Sequence, residues 1–209
     1  MKISYAIPVC NEHAELEKLL SFLRSHIDEG DEIVVQCDEG NTTPEVLRVL
    51  DKCADRVKVI EFPLKGHFSN FKNNLKEHCT GDWIFQIDAD ELPHESLIQN
   101  LKALLEVNTT TEMLLVPRVN TIEGLTQEHI NKWRWNVNEK GWVNWPDYQT
   151  RIIQNSQKIK WQNKVHEQIV GISTKGALPM EEEWSLYHPK TIGKQEAQNR
   201  LYESINNWG

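Results

Sequence analysis

Residues 83–91 read WIFQIDADE, an apolar run that passes directly into a cluster of carboxylates. The run 83–87 is short and continuous, which is typical of a β-strand buried on both faces of a parallel sheet. Ligands of parallel sheets bind beyond the carboxyl ends of the strands. The carboxylates of Asp88 and Asp90 therefore follow this strand at the place where a ligand is expected.

The preceding sequence repeats this strand pattern and places helical segments between the strands. The strand-like runs are Ile3–Val9, 32–36 and Val57–Phe62. Helix signals separate or follow them: Asn11 as an N-cap, Pro44 as a first helical residue, Gly81 closing a helix over 68–79, and Pro93 opening another. Strand and helix alternating at this spacing predict βαβ units and a mostly parallel, Rossmann-like sheet flanked by helices.

The pattern changes after about residue 110. Strand-like pieces occur at Met113–Val116, 151–154 and 168–172 without strong helices between them, and a helix is predicted over 194–205. No linker rich in Gly, Pro or Ser divides the chain. We therefore expect one α/β domain over residues 1–209, with a mixed-strand second half from residue 111.

Composition excludes several classes of protein. The 209 residues carry 31 acidic and 23 basic side chains, a formal net charge of −8, which predicts no affinity for nucleic acid or anionic membranes. No apolar run approaches the length of a membrane span, which needs about 20 residues. The N-terminus enters a strand directly and lacks a leader pattern, so a cytoplasmic location is expected.

The carboxylates of Asp88 and Asp90 are spaced so that both can reach one cation if the chain turns there. Hard cations such as Mg²⁺ or Mn²⁺ prefer oxygen ligands and commonly sit between one or two carboxylates and substrate phosphates. The competing interpretation is an acidic first turn of the following helix. No GxGxxG, GxxxxGK[ST] or GxSxG motif is present, which disfavours dehydrogenases, P-loop proteins and serine hydrolases.

Several segments resemble, in order, the motifs of family 2 glycosyltransferases of the GT-A fold. These segments are 7–12 (IPVCNE), 34–42 (VVQCDEGNT), 72–73 (KN), 80–84 (TGDWI), 88–91 (DADE), 147–151 (DYQTR) and 164–167 (KVHE). The resemblance covers roughly residues 3–190 and is closest to the subgroup with DADE and VHE motifs. It implies a metal-dependent transfer, inverting in outcome, from a UDP- or GDP-sugar to a saccharide or other hydroxyl acceptor.

The resemblance also implies roles for individual residues. Residues 1–110 would bind the nucleotide sugar, and 111–209 would form the acceptor and catalytic half. The implied donor-nucleotide contacts are Pro8, Val9, Asn11, Glu12, Asp38, Lys72, Asp88 and Ala89. The implied ligands of Mn²⁺ or Mg²⁺ are Asp90, Asp88 and His188, and the implied catalytic base is Glu167, with Asp147 as the next candidate. Lys72 replaces a common Arg, which keeps the charge but removes a bidentate fork for phosphate.

Each implied role has a structural alternative. Glu167 could be a strand-end carboxylate paired with Lys164 or Arg151, and His188 could anchor the C-terminal segment by a hydrogen bond. His166 could contact metal or phosphate or simply pack, and Trp142 and Trp145 could stack on an acceptor sugar or belong to the core.

Other functions compete for the whole chain. A nucleotidyltransferase would normally show a glycine-rich basic loop where residues 8–12 stand, so this segment disfavours that function. A non-catalytic carbohydrate-binding protein remains an alternative. A protein partner or homo-oligomer is also open.

Overall fold

The computed structural model describes residues 1–206, with side chains through residue 200. Its helices are α1 (His13–His26), α2 (Pro44–Asp51), α3 (Phe68–Glu77), α4 (Glu95–Val107), α5 (Gln127–Trp133) and α6 (Ile192–Asn206). Its strands are β1 (Ile3–Val9), β2 (Glu32–Asp38), β3 (Val57–Phe62), β4 (Trp83–Gln86), β5 (Leu92–Pro93), β6 (Met113–Val116), β7 (Arg118–Glu123), β8 (Gln149–Gln154), β9 (Lys160–Gln162), β10 (Gln168–Val170), β11 (Lys175–Ala177) and β12 (Leu186–Thr191).

The main sheet has seven strands in the order β11-β6-β8-β4-β1-β2-β3. Strands β1 to β4 run parallel to one another, whereas β8 is antiparallel to both β4 and β6. A three-stranded sheet (β5-β12-β7) and the hairpin β9–β10 complete the described structure. The predicted α/β class, with a mostly parallel sheet and a mixed-strand second half, is confirmed.

Alternation along the strands divides the core between the two faces of the sheet. In β1, Ile3, Tyr5 and Ile7 pack with the leucines of α1 and α4 on one face, whereas Ala6 packs against Leu75 of α3 on the other. Successive side chains of a strand point to opposite faces, so this division follows from the period of two. Among the described helices, α3 therefore packs on the face opposite α1, α2 and α4, beside the hairpin β9–β10.

The structure corrects four local predictions. Helix α1 has Glu12, not Asn11, at its N-cap position, and α4 begins at Glu95 because Pro93 pairs with Leu186 in β5. Helix α3 ends at Glu77, and Gly81 serves close packing instead, since a Cβ there would lie 2.7 Å from the Ser4 nitrogen.

The fourth correction concerns helix α5, which the sequence did not reveal. It is one short element without a buried residue, so it lacks the apolar face by which amphipathic helices are recognised. Among the described residues, no helix is long and apolar enough to cross a membrane.

Candidate active site

A cavity of about 600 Å³ opens at the carboxyl ends of β1 and β4, which are parallel neighbours in the sheet. Ten of the twelve residues implied by the motifs line it: Pro8, Val9, Glu12, Lys72, Asp88, Ala89, Asp90, Asp147, Glu167 and His188. The fold therefore brings the predicted donor and catalytic residues of both halves to one cavity.

The other two implied donor contacts, Asn11 and Asp38, do not line the cavity. Asn11 is exposed, and its backbone nitrogen donates to Glu12 Oε2 at 3.0 Å. Asp38 is buried, and its carboxylate accepts hydrogen bonds from the Leu64 backbone nitrogen at 2.9 Å and from Asn41 Nδ2 at 3.1 Å. In this structure Asp38 orders the loop after β2, and its contact with a base stays a prediction.

A network of ion pairs between arginine and acidic side chains holds the acidic 88–91 motif in place. Arg151 Nη2 lies 2.5 Å from Asp88 Oδ2 and 2.7 Å from Glu91 Oε1. Arg118 connects the same Glu91 oxygen, at 3.0 Å, to Asp147 Oδ2, at 2.7 Å. The Glu91 side chain is fully buried, so this carboxylate is the shared counter-charge of two guanidinium groups. The network fixes where Asp88 and Asp147 point.

The network also sets the protonation of its carboxyl groups. Burial alone would raise the pKa of Asp88, but the positive charges of Arg151, Lys72 and Arg118 outweigh it and hold that pKa well below its usual value. Burial likewise raises the pKa of Asp147, and Arg118 together with a hydrogen bond from Asn120 lowers it further than burial raises it. Both groups are carboxylates at neutral pH.

A second set of contacts, which runs from Asp147 through Asn120 and His188, orients Asp90. Asn120 Nδ2 donates to Asp147 Oδ2 at 2.7 Å, so the amide oxygen of Asn120 accepts from His188 Nδ1, also at 2.7 Å. The other ring nitrogen of His188, Nε2, then faces Asp90 Oδ2 at 3.4 Å. The His188 ring and the Asp90 carboxylate thus present a nitrogen and an oxygen next to each other in the cavity.

The donor set fits a divalent cation held by two protein ligands. Carboxylate oxygen and imidazole nitrogen are both ligands of Mn²⁺, and Asp90 and His188 present one of each to the cavity. The Asp88 carboxylate is engaged by Arg151. Within residues 1–206, no group of three or more His, Cys, Asp or Glu side chains converges as a metal cage. Two ligands leave room for substrate phosphates, which is the usual arrangement for Mg²⁺.

Glu167 lies across the cavity, paired with a residue that sequence analysis did not consider as its partner. Lys72 Nζ, on α3, lies 2.9 Å from Glu167 Oε1, and both side chains are 16% exposed. Lys164 and Arg151, the partners that the sequence suggested for Glu167, form no ion pair with it among the described residues. Lys72 also lies 4.5 Å from the centre of the Trp161 ring. The predicted phosphate ligand and the predicted base thus form an ion pair with each other.

The hairpin β9–β10 carries Glu167 and is fastened to α3. The Asn73 side chain forms two 2.9 Å hydrogen bonds with the Trp161 backbone, one to its oxygen and one from its nitrogen. The Phe68 nitrogen donates to the Lys164 oxygen at 3.0 Å. These bonds join the start of the hairpin to the helix that holds Lys72.

Three of the six described non-glycine residues with positive φ lie at the cavity. Asn144, Asp147 and His166 have φ values of 55°, 34° and 55°, a left-handed region that non-glycine residues seldom adopt. All three line the cavity. Such strain persists only where the surroundings enforce it, and it clusters at functional sites.

Sequence analysis missed some residues of the cavity, and for the tryptophans it left a sugar contact and a place in the core open. The rings of Trp142 and Trp145 contact each other with their centres 4.8 Å apart and their planes tilted by 59°. Neither is among the cavity-lining residues, whereas Trp135 is. Arg118 and Asn120 were missed because they come from β7, which reaches the site through its pairing with β12. The only available signal was the acidic 88–91 motif itself, which requires buried counter-charges.

Comparison with known proteins gives a family and a set of similar folds. The model of the family described as "Glycosyl transferase family 2" matches residues 4–171. No curated protein matches the sequence significantly.

Two of the similar solved structures are of TarS from S. aureus. Residues 1–349 of TarS align with a TM-score of 0.62 and 16% identity over 90% of this chain and 60% of that one. The same fragment in complex with UDP-GlcNAc aligns with a TM-score of 0.60 and 15% identity over 91% and 59%.

At this identity the likeness to TarS shows the fold, and the present chain spans about 60% of the TarS fragment. The match to the family model is of a different kind, because it covers most of the sequence from β1 to the end of the β9–β10 hairpin. The protein belongs to glycosyl transferase family 2.

Proposed function

We propose that the protein transfers a sugar from a nucleoside diphosphate donor, a UDP- or GDP-sugar, to a hydroxyl group of a saccharide or other acceptor. One observation carries the proposal: a single cavity at the carboxyl ends of β1 and β4 holds Asp88, Asp90, Lys72 and Glu167. We further place the chain in the subgroup with DADE and VHE motifs, as one domain whose first half binds the donor.

The donor diphosphate would lie between the cationic side chains and the acidic motif. Lys72, Arg118, Arg151 and Lys190 all line the cavity and offset the charge of the carboxylates there. Asp90 and His188 would hold Mn²⁺ or Mg²⁺. The ion supplies positive charge that stabilises the departing diphosphate. Lys72 would gain the diphosphate as a partner in place of Glu167.

Glu167 would act as the general base of an inverting transfer. The acceptor oxygen forms a bond to the anomeric carbon, the bond from that carbon to the diphosphate breaks, and the acceptor proton moves to Glu167. Asp147 is the weaker candidate because Arg118 and Asn120 occupy its carboxylate and its pKa is held low. A carboxylate stabilised in this way takes up a proton less readily.

The test is a thermal-shift screen of UDP- and GDP-sugars with and without Mn²⁺. Ligand that binds only the folded protein raises its stability by about 2.7 kcal/mol at a hundred times the dissociation constant. We expect one donor to raise Tm in a manner that requires the ion and is lost in Asp90→Asn. Asp51→Asn, an exposed change on α2, should behave as wild type. Failure of every sugar nucleotide to raise Tm would overturn the proposal.

A further inference from the structure

A second cavity, of about 560 Å³, adjoins the first. The end of α5 and one side of α6 form it, and its lining includes Lys132, Trp133, Trp135, Gln195, Asn199 and Arg200. Trp135 and Gln195 line both cavities, so the two share a wall. We call this second cavity the tryptophan groove.

The two indole rings of the groove are held in place by local structure. Helix α5 ends at Trp133, and Arg134, with φ of 54°, turns the chain back so that the Trp135 nitrogen donates to the Ile130 oxygen at 3.0 Å. The Trp133 and Trp135 ring centres are then 4.6 Å apart. His129 stacks on Trp133 with its ring centre 5.2 Å away, and Lys132 Nζ lies 5.7 Å from the centre of the Trp133 ring. These contacts fix the orientation of both indole rings, whose planes are tilted by 45° to each other.

The chemistry of the groove suits a sugar. Both indole rings remain partly exposed, and the electron-rich face of an indole attracts the polarised C–H bonds on one face of a pyranose. Gln195 and Asn199 bring amide groups that donate and accept hydrogen bonds, and they are already aligned by a 2.9 Å bond between them. Arg200 adds donors for ring hydroxyls at the open side.

We propose that the tryptophan groove binds the second sugar of an oligosaccharide acceptor, next to the sugar whose hydroxyl attacks the donor. The inference rests on the proposed function, because the shared wall at Trp135 and Gln195 places the groove beside the cavity in which transfer would occur. It narrows the acceptor class: the preferred substrate has at least two sugars, and a monosaccharide fills only the first position.

The test compares wild type with two variants that alter the groove alone. Trp133→Leu removes the flat aromatic face while keeping apolar bulk, and Arg200→Gln removes hydrogen-bond donors at an exposed position, so one variant stays informative if the other folds poorly. Trp142→Leu is the matched control, because Trp142 is partly exposed and is among the lining residues of neither cavity. Each purified chain is applied to an array of common hexoses and their di- to tetrasaccharides, and hits are titrated.

We expect wild type to bind one or more oligosaccharides more tightly than the matching monosaccharide. Trp133→Leu should weaken that binding roughly 3- to 10-fold, as expected for one aromatic contact, and Trp142→Leu should leave it unchanged. The inference is overturned if no oligosaccharide binds, if monosaccharides bind equally well, or if both groove variants match wild type. Donor binding, measured separately by thermal shift, should be the same in all four proteins. If wild type binds no donor, the result counts against the proposed function instead.

Discussion

Glu91 contributes to the site without lining the cavity. Its carboxylate accepts hydrogen bonds from Arg118 and Arg151, which in turn hold Asp147 and Asp88. Glu91, the last residue of the DADE segment, is thus a positioning residue for Asp88 and Asp147. Loss of its charge would leave two buried guanidinium groups with one counter-charge each.

The first prediction follows from this arrangement. Glu91→Gln should lower the free energy of unfolding by about 1.5–3 kcal/mol, because it removes the charged acceptor of hydrogen bonds from two buried guanidinium groups. Urea denaturation measures the loss. Glu45→Gln, on the exposed start of α2, should change stability by no more than about 0.5 kcal/mol. Equal denaturation midpoints for Glu91→Gln and Glu45→Gln would show that the network does not depend on Glu91.

The second prediction separates the two candidate bases. Glu167→Gln should lower turnover about 10²–10⁴-fold, as for loss of a general base, with little change in donor KM because a base acts mainly on the transition state. The measurement is a donor-titrated rate comparison with an oligosaccharide acceptor. Asp147→Asn should instead lower thermal stability, since it removes a counter-charge of Arg118. If only Asp147→Asn abolishes turnover, the roles are reversed.

At the scale of elements, the β9–β10 hairpin determines where Glu167 lies. Gly171 ends this hairpin with φ of 79°, and a Cβ there would lie 1.9 Å from the Lys158 oxygen. No side chain larger than hydrogen fits without moving the backbone. The hairpin therefore depends on one glycine.

The third prediction is that Gly171→Ala reduces turnover more than donor binding. The change should cost more than about 1 kcal/mol of stability, because both the φ angle and the space oppose a side chain. Thermal shift with the donor and turnover are measured on the same preparation. Gly193→Ala, where nothing lies within 4 Å of the new Cβ, is the control and should retain wild-type turnover. A parallel loss of donor binding and turnover would show that the hairpin supports the whole fold rather than Glu167.

The elements that the sequence predicted well are those with strong local patterns. Strands β1, β3 and β6 have the predicted bounds. Strands β1 and β6 are short apolar runs, and β3 is rich in β-branched and aromatic residues. The helix start predicted at Pro93 and the helix end predicted at Gly81 were wrong. Proline and glycine also serve strand pairing and close packing, which depend on distant partners.

The residues of the cavity also divide into those set by local sequence and those set by distant partners. Residues that directly follow β1 and β4 were found because the direction of the strands fixes their place. Arg118, Asn120 and Trp135 lie in the cavity through tertiary contacts, which periodicity does not encode. Local sequence thus identified the carboxyl-end residues but not the side chains that hold them.

At the scale of the whole molecule, the carboxylates of the site couple stability to pH. The pKa values of Asp88, Asp90 and Asp147 are all lowered in the folded protein, with burial opposed and outweighed by Arg151, by His188 and by Arg118 respectively. A lowered folded pKa means that the unfolded chain takes up protons first as pH falls. The stability from these groups is complete above about pH 4, the ordinary value for aspartate, and is lost below it.

The fourth prediction uses the difference between wild type and Asp147→Asn. The urea midpoint of wild type should fall between pH 5 and pH 2.5, and the variant should fall less over the same range because it lacks one of the coupled carboxylates. Midpoints are measured at half-unit intervals at constant ionic strength. Asp51→Asn, an exposed change, should follow the wild-type curve. Identical acid slopes for wild type and Asp147→Asn would remove Asp147 from the set of groups responsible.

The two hydrogen bonds between the Asn73 side chain and the Trp161 backbone have a mechanical consequence. The amide of Asn73 takes the place of a neighbouring strand, so it joins the hairpin to α3 through both of its polar atoms. On the proposed function, a donor diphosphate that binds the Lys72 side chain would take it from Glu167 while the backbones of the hairpin and α3 stay joined. The base would then be released only after the donor has arrived, which delays proton uptake until there is a sugar to transfer.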